Sequence, residues 1–261
     1  MDFPIIEFFD DEGFITKERY LASNENLAIK QEFLSQCKID TALFIFTRNV
    51  EQTLGEKFGL FEEFYRFNNG SNTNICYIYN KKFLVALSPL GSANASGLME
   101  ELGLLGITKF FACGSAGQIE HNIPPEEFVL VDKAIRDEGT SYHYIKPSVY
   151  VETDTELTQH IATYLAENDF KFNTSVTWTT DAFFRETPLA VKKRKSQGAV
   201  AVEMECAGWA AVAKFRGYQF AQLLYFSDAV NQNWKWRPNK TELKTAIIHL
   251  MLDCVEKYVE K

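Results

Sequence analysis

Short apolar segments of strand length alternate with longer helical segments along this chain, and that alternation restricts what it can fold into. The strand-like segments are rich in β-branched and aromatic residues and lie at residues 42–46, 75–79, 83–87, 109–113, 128–131, 175–179 and 220–226. The helix-like segments lie at residues 49–57, 94–105, 155–168, 188–197, 203–215 and 241–259. Alternating strands and helices predict an α/β fold, in which helices cover a central β-sheet.

The chain shows no internal repeat, no low-complexity stretch and no Pro/Gly/Ser linker that would divide it. We therefore predict a single domain that spans residues 1–261. Residues 1–40 begin acidic and then become helical. We interpret them as an N-terminal cap or an oligomer arm.

The charge balance of the chain excludes several classes of partner. Lys and Arg number 27, Asp and Glu number 35, and the net charge is −8 at pH 7. The field over such a surface repels nucleic acids and anionic membranes. The longest segment without charged or polar residues, 206–213, is far shorter than the roughly 18 residues of a membrane span, and the acidic start is unlike a signal peptide. We predict a soluble cytoplasmic protein that binds neither nucleic acid nor membrane.

The cysteines and histidines give no basis for a cross-link or a metal site. Five cysteines are widely spaced and odd in number, and the four histidines are scattered without an HExxH motif. We predict free thiols, no metal and no bound cofactor.

Two segments of small residues follow predicted strands and indicate a ligand site. Residues 88–94 read SPLGSAN, and residues 109–117 contain Gly114 and Ser115. Backbone amides in such segments approach an anion or a sugar without hindrance from a Cβ atom, and ligands of open α/β sheets bind beyond strand ends. A plain tight turn is the alternative explanation.

Two carboxylates, Glu203 and Glu205, precede a helix that is apolar on all sides. A buried carboxylate is costly unless it is paired or hydrogen-bonded. Capping of the helix by acidic residues in its first turn explains them in one way. Binding of vicinal sugar hydroxyls, which donate hydrogen bonds to a buried acceptor, explains them in another.

A polar pair, Ser227 and Asp228, ends the last buried strand-like segment. Side chains at that position point into the crevice beyond the strand ends, where an aspartate can act as a general acid or bind the edge of a base. Capping of a following helix is the alternative, because Ser and Asp are common N-cap residues.

In order and spacing, these motifs resemble the nucleoside phosphorylase family, which includes bacterial purine nucleoside phosphorylase, uridine phosphorylase and methylthioadenosine nucleosidase. The resemblance covers about residues 42–230. Residues 202–208 are similar to the family's VEMExAG signature, and the Ser-Asp pair is similar to its SD motif. Residues 136–144 and 179–187 mark a divergent branch. The resemblance implies one α/β domain with a mixed, twisted central sheet flanked by helices.

For the sugar, the resemblance implies that Glu205 binds the 2′ and 3′ hydroxyls of ribose. Met204 would pack on the sugar face, and Glu203 would assist nearby. Ser115, with the backbone amides around Gly114, would contact the nucleophile.

For the base, the resemblance implies that Phe183 flanks the ring. Asp228, oriented by Ser227, would protonate N7 of a purine or donate a hydrogen bond to it. Cleavage of the bond passes through an oxocarbenium-like sugar, and protonation of the departing base contributes about 10²–10⁴-fold. Family members specific for uridine lack this aspartate, so Asp228 indicates a purine nucleoside.

Two phosphate-binding features of the family's phosphorylases are absent from this sequence. Residues 46–52 replace the GDP-x-R motif, and Ala112 stands where the family has an arginine two residues before the strand-end Gly-Ser. A phosphate dianion needs charge-assisted donors. We therefore predict a substitute site in which Arg48 acts with Ser92 or Ser115.

The divergent motifs supply further candidates. Arg136 and Arg185 are additional cations for the site. His143 and Tyr142 are candidates for lining the base or sugar pocket, and a structural role is an equal alternative for His143.

The sequence thus predicts phosphorolysis of a nucleoside, with a purine as the favoured base, to the free base and (deoxy)ribose 1-phosphate. It also predicts a homo-oligomer and inorganic phosphate as co-substrate. One alternative is hydrolysis, because the family's nucleosidases also lack the strand arginine, although their water-activating glutamate has no clear match at residues 47–49. A second alternative is a protein that binds nucleosides without cleaving them.

Overall fold

The computed structural model describes residues 13–47, 50–69, 72–231 and 234–261. The helices are α1 (Lys17–Ala22), α2 (Glu25–Gln36), α3 (Val50–Leu54), α4 (Ser92–Leu104), α5 (Thr155–Glu167), α6 (Pro188–Ser196), α7 (Cys206–Arg216) and α8 (Lys240–Val259). The strands are β1 (Thr41–Ile45), β2 (Phe61–Asn69), β3 (Asn72–Tyr79), β4 (Phe83–Leu87), β5 (Lys109–Gln118), β6 (Phe128–Asp137), β7 (Tyr150–Glu152), β8 (Phe172–Thr180), β9 (Ala199–Glu203) and β10 (Gln219–Ala229). Short 3-10 helices lie at Gly55–Leu60, Thr140–His143 and Phe183–Arg185.

These strands form one mixed sheet. Strand β1 lies between β4 and β5 and runs parallel to both, and β3 and β2 extend the sheet beyond β4 in antiparallel fashion. On its other side β5 pairs in parallel with β10 and, near its end, antiparallel with β9. The α/β fold with a mixed central sheet, predicted from the alternating pattern and the family resemblance, is confirmed.

Part of the sheet closes on itself, which the sequence pattern did not predict. Strand β10 pairs with β6, β6 with β8, and β8 with β9, which returns to β5. In this ring Gly117 of β5 pairs with Val202 of β9 and with Asp228 of β10. The ends of β9 and β10 are therefore two strand spacings apart, about 10 Å.

Several strands lie outside the predicted segments because their composition does not indicate a buried strand. Strand β2 carries three charged residues and forms the far edge of the sheet, and β7 has only three residues. Strand β9 has five residues, of which four are alanine or valine, and it ends at Glu203. The helix predicted to begin at that residue begins instead at Cys206.

Helices cover both faces of the central strands. Along β5 the side chains alternate: Phe110 packs toward α4 and α7, and Phe111 packs toward α5 and α8. Trp209 of α7 stacks on Phe44 of β1 with 5.0 Å between the ring centroids. A sheet that is buried on both faces has near-continuous apolar strands, and this is the pattern that made β1, β4 and β10 recognisable.

The N-terminal segment packs on this domain. Leu27 and Leu34 of α2 are buried in the core. Tyr20 donates a hydrogen bond from its hydroxyl to the Glu101 carboxylate on α4, and burial raises the pKa of Glu101 to about 7. The described part of residues 1–40 thus covers the core, and its role as an oligomer arm stays a prediction; residues 1–12 lie outside the described part of the chain.

Helices α4 and α7 approach each other closely at Gly208. A Cβ atom there would lie 2.8 Å from Oγ of Ser96 and 3.0 Å from Cβ of Ser92. Next to it, the indole N–H of Trp209 donates a hydrogen bond to the backbone carbonyl of Ala95 at 3.0 Å. The start of α4 is thus held against the start of α7.

We expect Gly208→Ala to lower the free energy of unfolding by about 1–3 kcal/mol, because the added methyl group overpacks the α4–α7 contact. Urea unfolding of the two proteins measures the difference. The matched control is Gly97→Ala on α4, where a Cβ atom would meet open space; this change should be neutral or stabilising by up to about 1 kcal/mol. Equal stability of the Gly208 and Gly97 variants would contradict the close contact.

Other sequence predictions concern cross-links and membrane segments. All five cysteines are free thiols, as the spacing predicted. No helix within the described ranges is long and apolar enough to cross a membrane. Among the same residues no group of three or more His, Cys, Asp or Glu side chains is arranged to hold a metal ion.

Candidate active site

Glu203, the last residue of β9, holds the start of α7 in place. One of its carboxylate oxygens accepts hydrogen bonds from the backbone N–H groups of Glu205 and Cys206, both at 2.8 Å. The other accepts the hydroxyl proton of Thr179 at 2.5 Å. The capping explanation is therefore correct for Glu203, and its assistance to sugar binding stays a prediction.

Glu205 lies at the same turn, but its side chain does not cap the helix. The residue is 5% exposed. Its Oε1 accepts a hydrogen bond from the backbone N–H of Gly91 at 2.6 Å. Gly91 has φ +89°, a left-handed conformation that glycine adopts without a Cβ clash. The turn before α4 thus directs an amide at the Glu205 carboxylate.

The pKa values of the two carboxyl groups reflect their burial together. Burial, followed by the charge of Glu203, raises the pKa of Glu205 to about 8. Burial also raises the pKa of Glu203, but its hydrogen bonds from Thr179, Cys206 and Glu205 favour the ionised form. We therefore assign the proton that the pair retains near neutral pH to Glu205.

Met204, between the two glutamates, is half-buried. Its backbone carbonyl accepts the hydroxyl proton of Ser92 at 2.9 Å, and Ser92 is 0% exposed. The predicted contact of Ser92 with phosphate is therefore corrected: its one hydroxyl proton is donated inside the protein, and the residue joins α4 to the Glu203–Glu205 turn.

Asp228, at the end of β10, is 4% exposed and accepts hydrogen bonds on both oxygens. The hydroxyl of Ser227 donates to Oδ1 at 2.8 Å, and the indole N–H of Trp234 donates to Oδ2 at 2.7 Å. The segment that carries Trp234 crosses the strand end, since Trp236 forms a β-bridge with Asp228. Ser227 and Trp234 thus each hold one carboxylate oxygen of Asp228.

Aromatic and acidic side chains from the 3-10 helix at Phe183–Arg185 meet this aspartate. The Phe183 ring lies edge-on to Trp234 with 6.4 Å between centroids. Glu186 follows that helix, and burial, together with the charge of Asp228, raises the pKa of Glu186 to about 7. Phe183, Trp234, Asp228 and Glu186 therefore form one side of the crevice.

Ser115 and Gly114 lie near the end of β5, below Phe46. A Cβ atom at Gly114 would lie 3.0 Å from the Phe46 ring, so the backbone is close to that side chain. Ser115 is exposed, and both residues line a small cavity. Arg48, their predicted partner, lies outside the described residues.

Arg136 and Tyr142 have structural roles instead of lining an open pocket. Arg136 is 3% exposed, and its guanidinium donates to the hydroxyls of Ser141 and Ser148 and to two backbone carbonyls. It also lies 4.2 Å from the ring centroid of Tyr142. The prediction that Arg136 supplies a cation for an anionic ligand is corrected, because its donors are occupied within the loop that follows β6.

His143 and Arg185 remain on the surface. Both are exposed. His143 lines a broad groove with Ala93 of α4 and Asp181, next to the Glu203–Glu205 turn. Arg185 lies on the same 3-10 helix as Phe183. Neither residue contacts Asp228 or Glu205 through a hydrogen bond between described residues.

The fold thus brings together two groups of the predicted residues: Glu203, Met204 and Glu205 at the end of β9, and Ser227, Asp228 and Phe183 at the end of β10. Sequence reasoning missed Trp234 and Glu186. A tryptophan in a polar segment soon after the Ser-Asp pair, and a glutamate directly after the Phe183–Arg185 turn, are the signals that indicate them.

Comparison with known proteins adds three findings. The family model described as "Phosphorylase superfamily" matches residues 48–255. A guanosine phosphorylase of Halorubrum lacusprofundi is 26% identical over 128 residues, which are 49% of this chain and 53% of that protein. The chain thus spans about half the length of this curated relative.

Two solved structures share the fold at low sequence identity. A futalosine hydrolase mutant of Helicobacter pylori has a TM-score of 0.68 and 19% identity, over 84% of this chain and 99% of that chain. An AMP nucleosidase from Bacteroides thetaiotaomicron has a TM-score of 0.69 and 18% identity, over 90% of this chain and 98% of that chain.

Proposed function

This chain belongs to the phosphorylase superfamily, and from that premise we propose that it cleaves the N-glycosidic bond of a purine nucleoside, with phosphate as the nucleophile. The observation that carries the proposal is the pairing of Gly117 with both Val202 and Asp228. With this register, the buried carboxyl group of Glu205 lies at one end of the crevice, and we assign it to the sugar. The buried carboxyl group of Asp228 lies at the other end, and we assign it to proton donation.

At the sugar end, Glu205 binds the 2′ and 3′ hydroxyls of ribose. Each hydroxyl donates a hydrogen bond to the carboxylate. These bonds compensate for the hydrogen bonds to water that the carboxylate loses on burial. The amide of Gly91 and the cap formed by Glu203 fix the carboxylate in position. Hydrogen bonds donated by the ribose hydroxyls favour the ionised form of Glu205 over the protonated form that burial favours. The negative charge that results lies beside the sugar, where it stabilises the oxocarbenium-like transition state.

At the base end, Phe183 and Trp234 offer ring faces and edges to a purine. The Asp228 carboxyl contacts N7, where negative charge develops as the bond breaks. Ser227 and Trp234 donate hydrogen bonds to its two oxygens and hold the carboxyl group in position. Glu186, whose pKa is raised to about 7, is the adjacent group that retains a proton near neutral pH. Asp228 and Glu186 together hold the proton that the leaving base receives.

At the nucleophile end, Ser115 and the amides near Gly114 contact phosphate. The similarity to a guanosine phosphorylase supports phosphate as the nucleophile and a purine as the base. The missing strand arginine at Ala112 is the observation that opposes it, since a dianion requires a cation.

Hydrolysis is the second candidate for the same site. Ala112 favours it, because water needs no arginine, and two proteins that share the fold are named as a hydrolase and a nucleosidase. The sugar and base ends of the site serve both reactions equally. The nucleophile alone separates them.

The exposed side chains near the base end support a homo-oligomer. Phe184 is 93% exposed and Leu189 is 80% exposed. The Phe184 ring lies 5.0 Å from the Phe183 ring between centroids, and Leu189 follows in α6. Large apolar groups that are clustered at the surface indicate a contact with another protein surface, and a second copy of this chain is the occupant that we propose.

The nucleophile is identified by the sugar product. We expect inosine, adenosine or guanosine, incubated with the protein and inorganic phosphate, to yield free base and ribose 1-phosphate, with little turnover of uridine. Free ribose in phosphate-free buffer would instead establish hydrolysis. A protein that binds these nucleosides but releases no base under either condition would contradict the enzymatic proposal.

A further inference from the structure

A small cavity lies beyond the end of β1, beside the middle of the parallel strands β5 and β10, and α8 covers it. Its volume is about 120 Å³, equal to the liquid volume of about four water molecules. The buried side chains of Ile247 and Ile248 on α8 form one wall, and Phe46 forms another. A space of this size accommodates a compact ion of five heavy atoms and excludes a nucleoside.

Two hydroxyl groups face this cavity from adjacent strands. Ser115 of β5 pairs in register with Tyr225 of β10, and their side chains are hydrogen-bonded to each other. Burial raises the pKa of Tyr225 to about 12, so its hydroxyl stays protonated at neutral pH. Their mutual hydrogen bond uses one of the two hydroxyl protons, so the pair presents one hydrogen-bond donor to the cavity.

One cation also lines the cavity, and no acidic side chain does. Lys244 lies near the start of α8 and is half-buried. Within the described ranges its ammonium group has neither an ion pair nor a hydrogen bond. Lysines elsewhere in the fold, such as Lys57 and Lys109, pair with aspartates. A half-buried, unpaired ammonium beside a hydroxyl donor matches the requirements of a small anion.

The cavity lies close to the proposed reaction centre. Along β5, Ser115 is two residues before Gly117, which is about 7 Å at the rise of a strand. Gly117 in turn pairs with Val202 and Asp228, next to the sugar and base ends of the site. Ser115 is therefore about 7 Å along β5 from the strand position that pairs with both β9 and β10.

We propose that Lys244, together with the hydroxyls of Ser115 and Tyr225, binds inorganic phosphate as the co-substrate. This inference rests on the proposed function and names the cation of its nucleophile site. Lys244 supplies from α8 the positive charge that Ala112 does not supply from β5. From the sequence, Arg48 after β1 is the predicted cation for phosphate. In the structure, the cation that lines the cavity is Lys244 on the last helix.

The reaction balances with the groups present. An oxygen of hydrogen phosphate attacks C1′ of the ribose while the bond from C1′ to the base nitrogen breaks. The electron pair of that bond moves to the base, which takes a proton from the Asp228–Glu186 pair. The proton of the phosphate restores that pair, and the products are ribose 1-phosphate and the free base.

The test compares Lys244→Met and Lys244→Gln with Lys257→Met, a change at the far, exposed end of the same helix. Titration of each protein with inorganic phosphate gives its Kd, independently of turnover. We expect both Lys244 variants to weaken phosphate binding roughly 10- to 100-fold, the effect of losing a charge-assisted contact. The KM for phosphate should rise by a similar factor, with the KM for the nucleoside within about threefold of wild type. Lys257→Met should match wild type.

Two results would contradict the proposed phosphate site without contradicting the proposed cleavage of nucleosides. One is phosphate binding that is unchanged in both Lys244 variants. The other is a wild-type protein that releases base but does not bind phosphate at all. Failure of the cleavage proposal is distinguishable from these results. It would appear as an absence of base release, and the titration would still measure phosphate binding by the same protein.

Discussion

Asp228→Ala is expected to lower kcat for purine nucleosides by about 10²–10⁴-fold, the usual contribution of general acid catalysis. The reason is the charge that develops on the departing base, which Asp228, with Glu186, neutralises through a proton at N7. Steady-state assays of base release measure the effect. With the wild type, kcat/KM should fall as the pH rises above about 7, because the raised pKa of Glu186 marks the loss of that proton.

The matched control is Asp253→Asn. Asp253 is a half-exposed carboxylate on α8 that pairs with Lys57, outside the crevice, and its loss should leave kcat unchanged. Unfolding experiments on Asp228→Ala separate a catalytic loss from a folding defect, because Trp234 loses its acceptor in this variant. A well-folded Asp228→Ala protein with near wild-type turnover would remove Asp228 from the reaction.

Glu205→Gln is expected to lower kcat/KM for ribonucleosides by about 10²–10⁴-fold. Two hydrogen bonds from ribose hydroxyls to a buried carboxylate contribute about 1.5–3 kcal/mol each, and the variant replaces that anion with a neutral amide. The comparison substrate is the corresponding 2′-deoxynucleoside, which makes one of the two bonds. The variant should therefore lose less activity toward the deoxynucleoside than toward the ribonucleoside. Equal losses on both substrates would place Glu205 away from the 2′ hydroxyl.

The same variant should also change how the free energy of unfolding depends on pH. The pKa of Glu205 in the folded, empty site is about 8, above its ordinary value of 4.5. A raised pKa of an acid gives a stabilising contribution that is complete below 4.5 and is lost as the pH rises to about 8. The loss is at most about 1.4 kcal/mol per pH unit. Glu205→Gln should therefore flatten the decline of unfolding free energy between pH 5 and about 8, relative to wild type.

The sheet and its covering helices were largely predictable because their residues follow simple patterns. Strands β1, β4 and β10 are continuous apolar runs, and the two faces of the sheet are buried by helices. The ring closure was not predictable, since β9 pairs with β5 through only two residue positions. Such a short contact leaves no periodic signal in the sequence.

The residues of the candidate site could be predicted from sequence motifs. The role of each residue could not be predicted where tertiary packing determines which groups its side chain contacts. Glu203 and Glu205 look equivalent in sequence, yet the turn before α7 uses Glu203 as a cap, and Glu205 accepts a hydrogen bond from the backbone of Gly91 instead. Ser92 looked like a ligand residue, and tertiary packing against Met204 uses its hydroxyl instead.

The distribution of cations illustrates the same limit. Arg136 is part of a distinctive motif and was a predicted cation of the site. In the structure its guanidinium donates hydrogen bonds within a loop. Lys244 belongs to no motif, and only the approach of α8 to β5 and β10 brings it to Ser115. A cation that reaches a site from a distant helix leaves no signature in the local sequence.

The most direct test of the central claim is a time course of base release from a purine nucleoside by wild type, Glu205→Gln and Asp228→Ala, each in buffer with and without phosphate. Chromatography of the free base gives the rates. We predict release by the wild type and rates at least about 10²-fold lower in both variants. No release by the wild type in either buffer, or equal rates in all three proteins, would contradict the assignment of Glu205 and Asp228 as the two ends of a nucleoside-cleaving site.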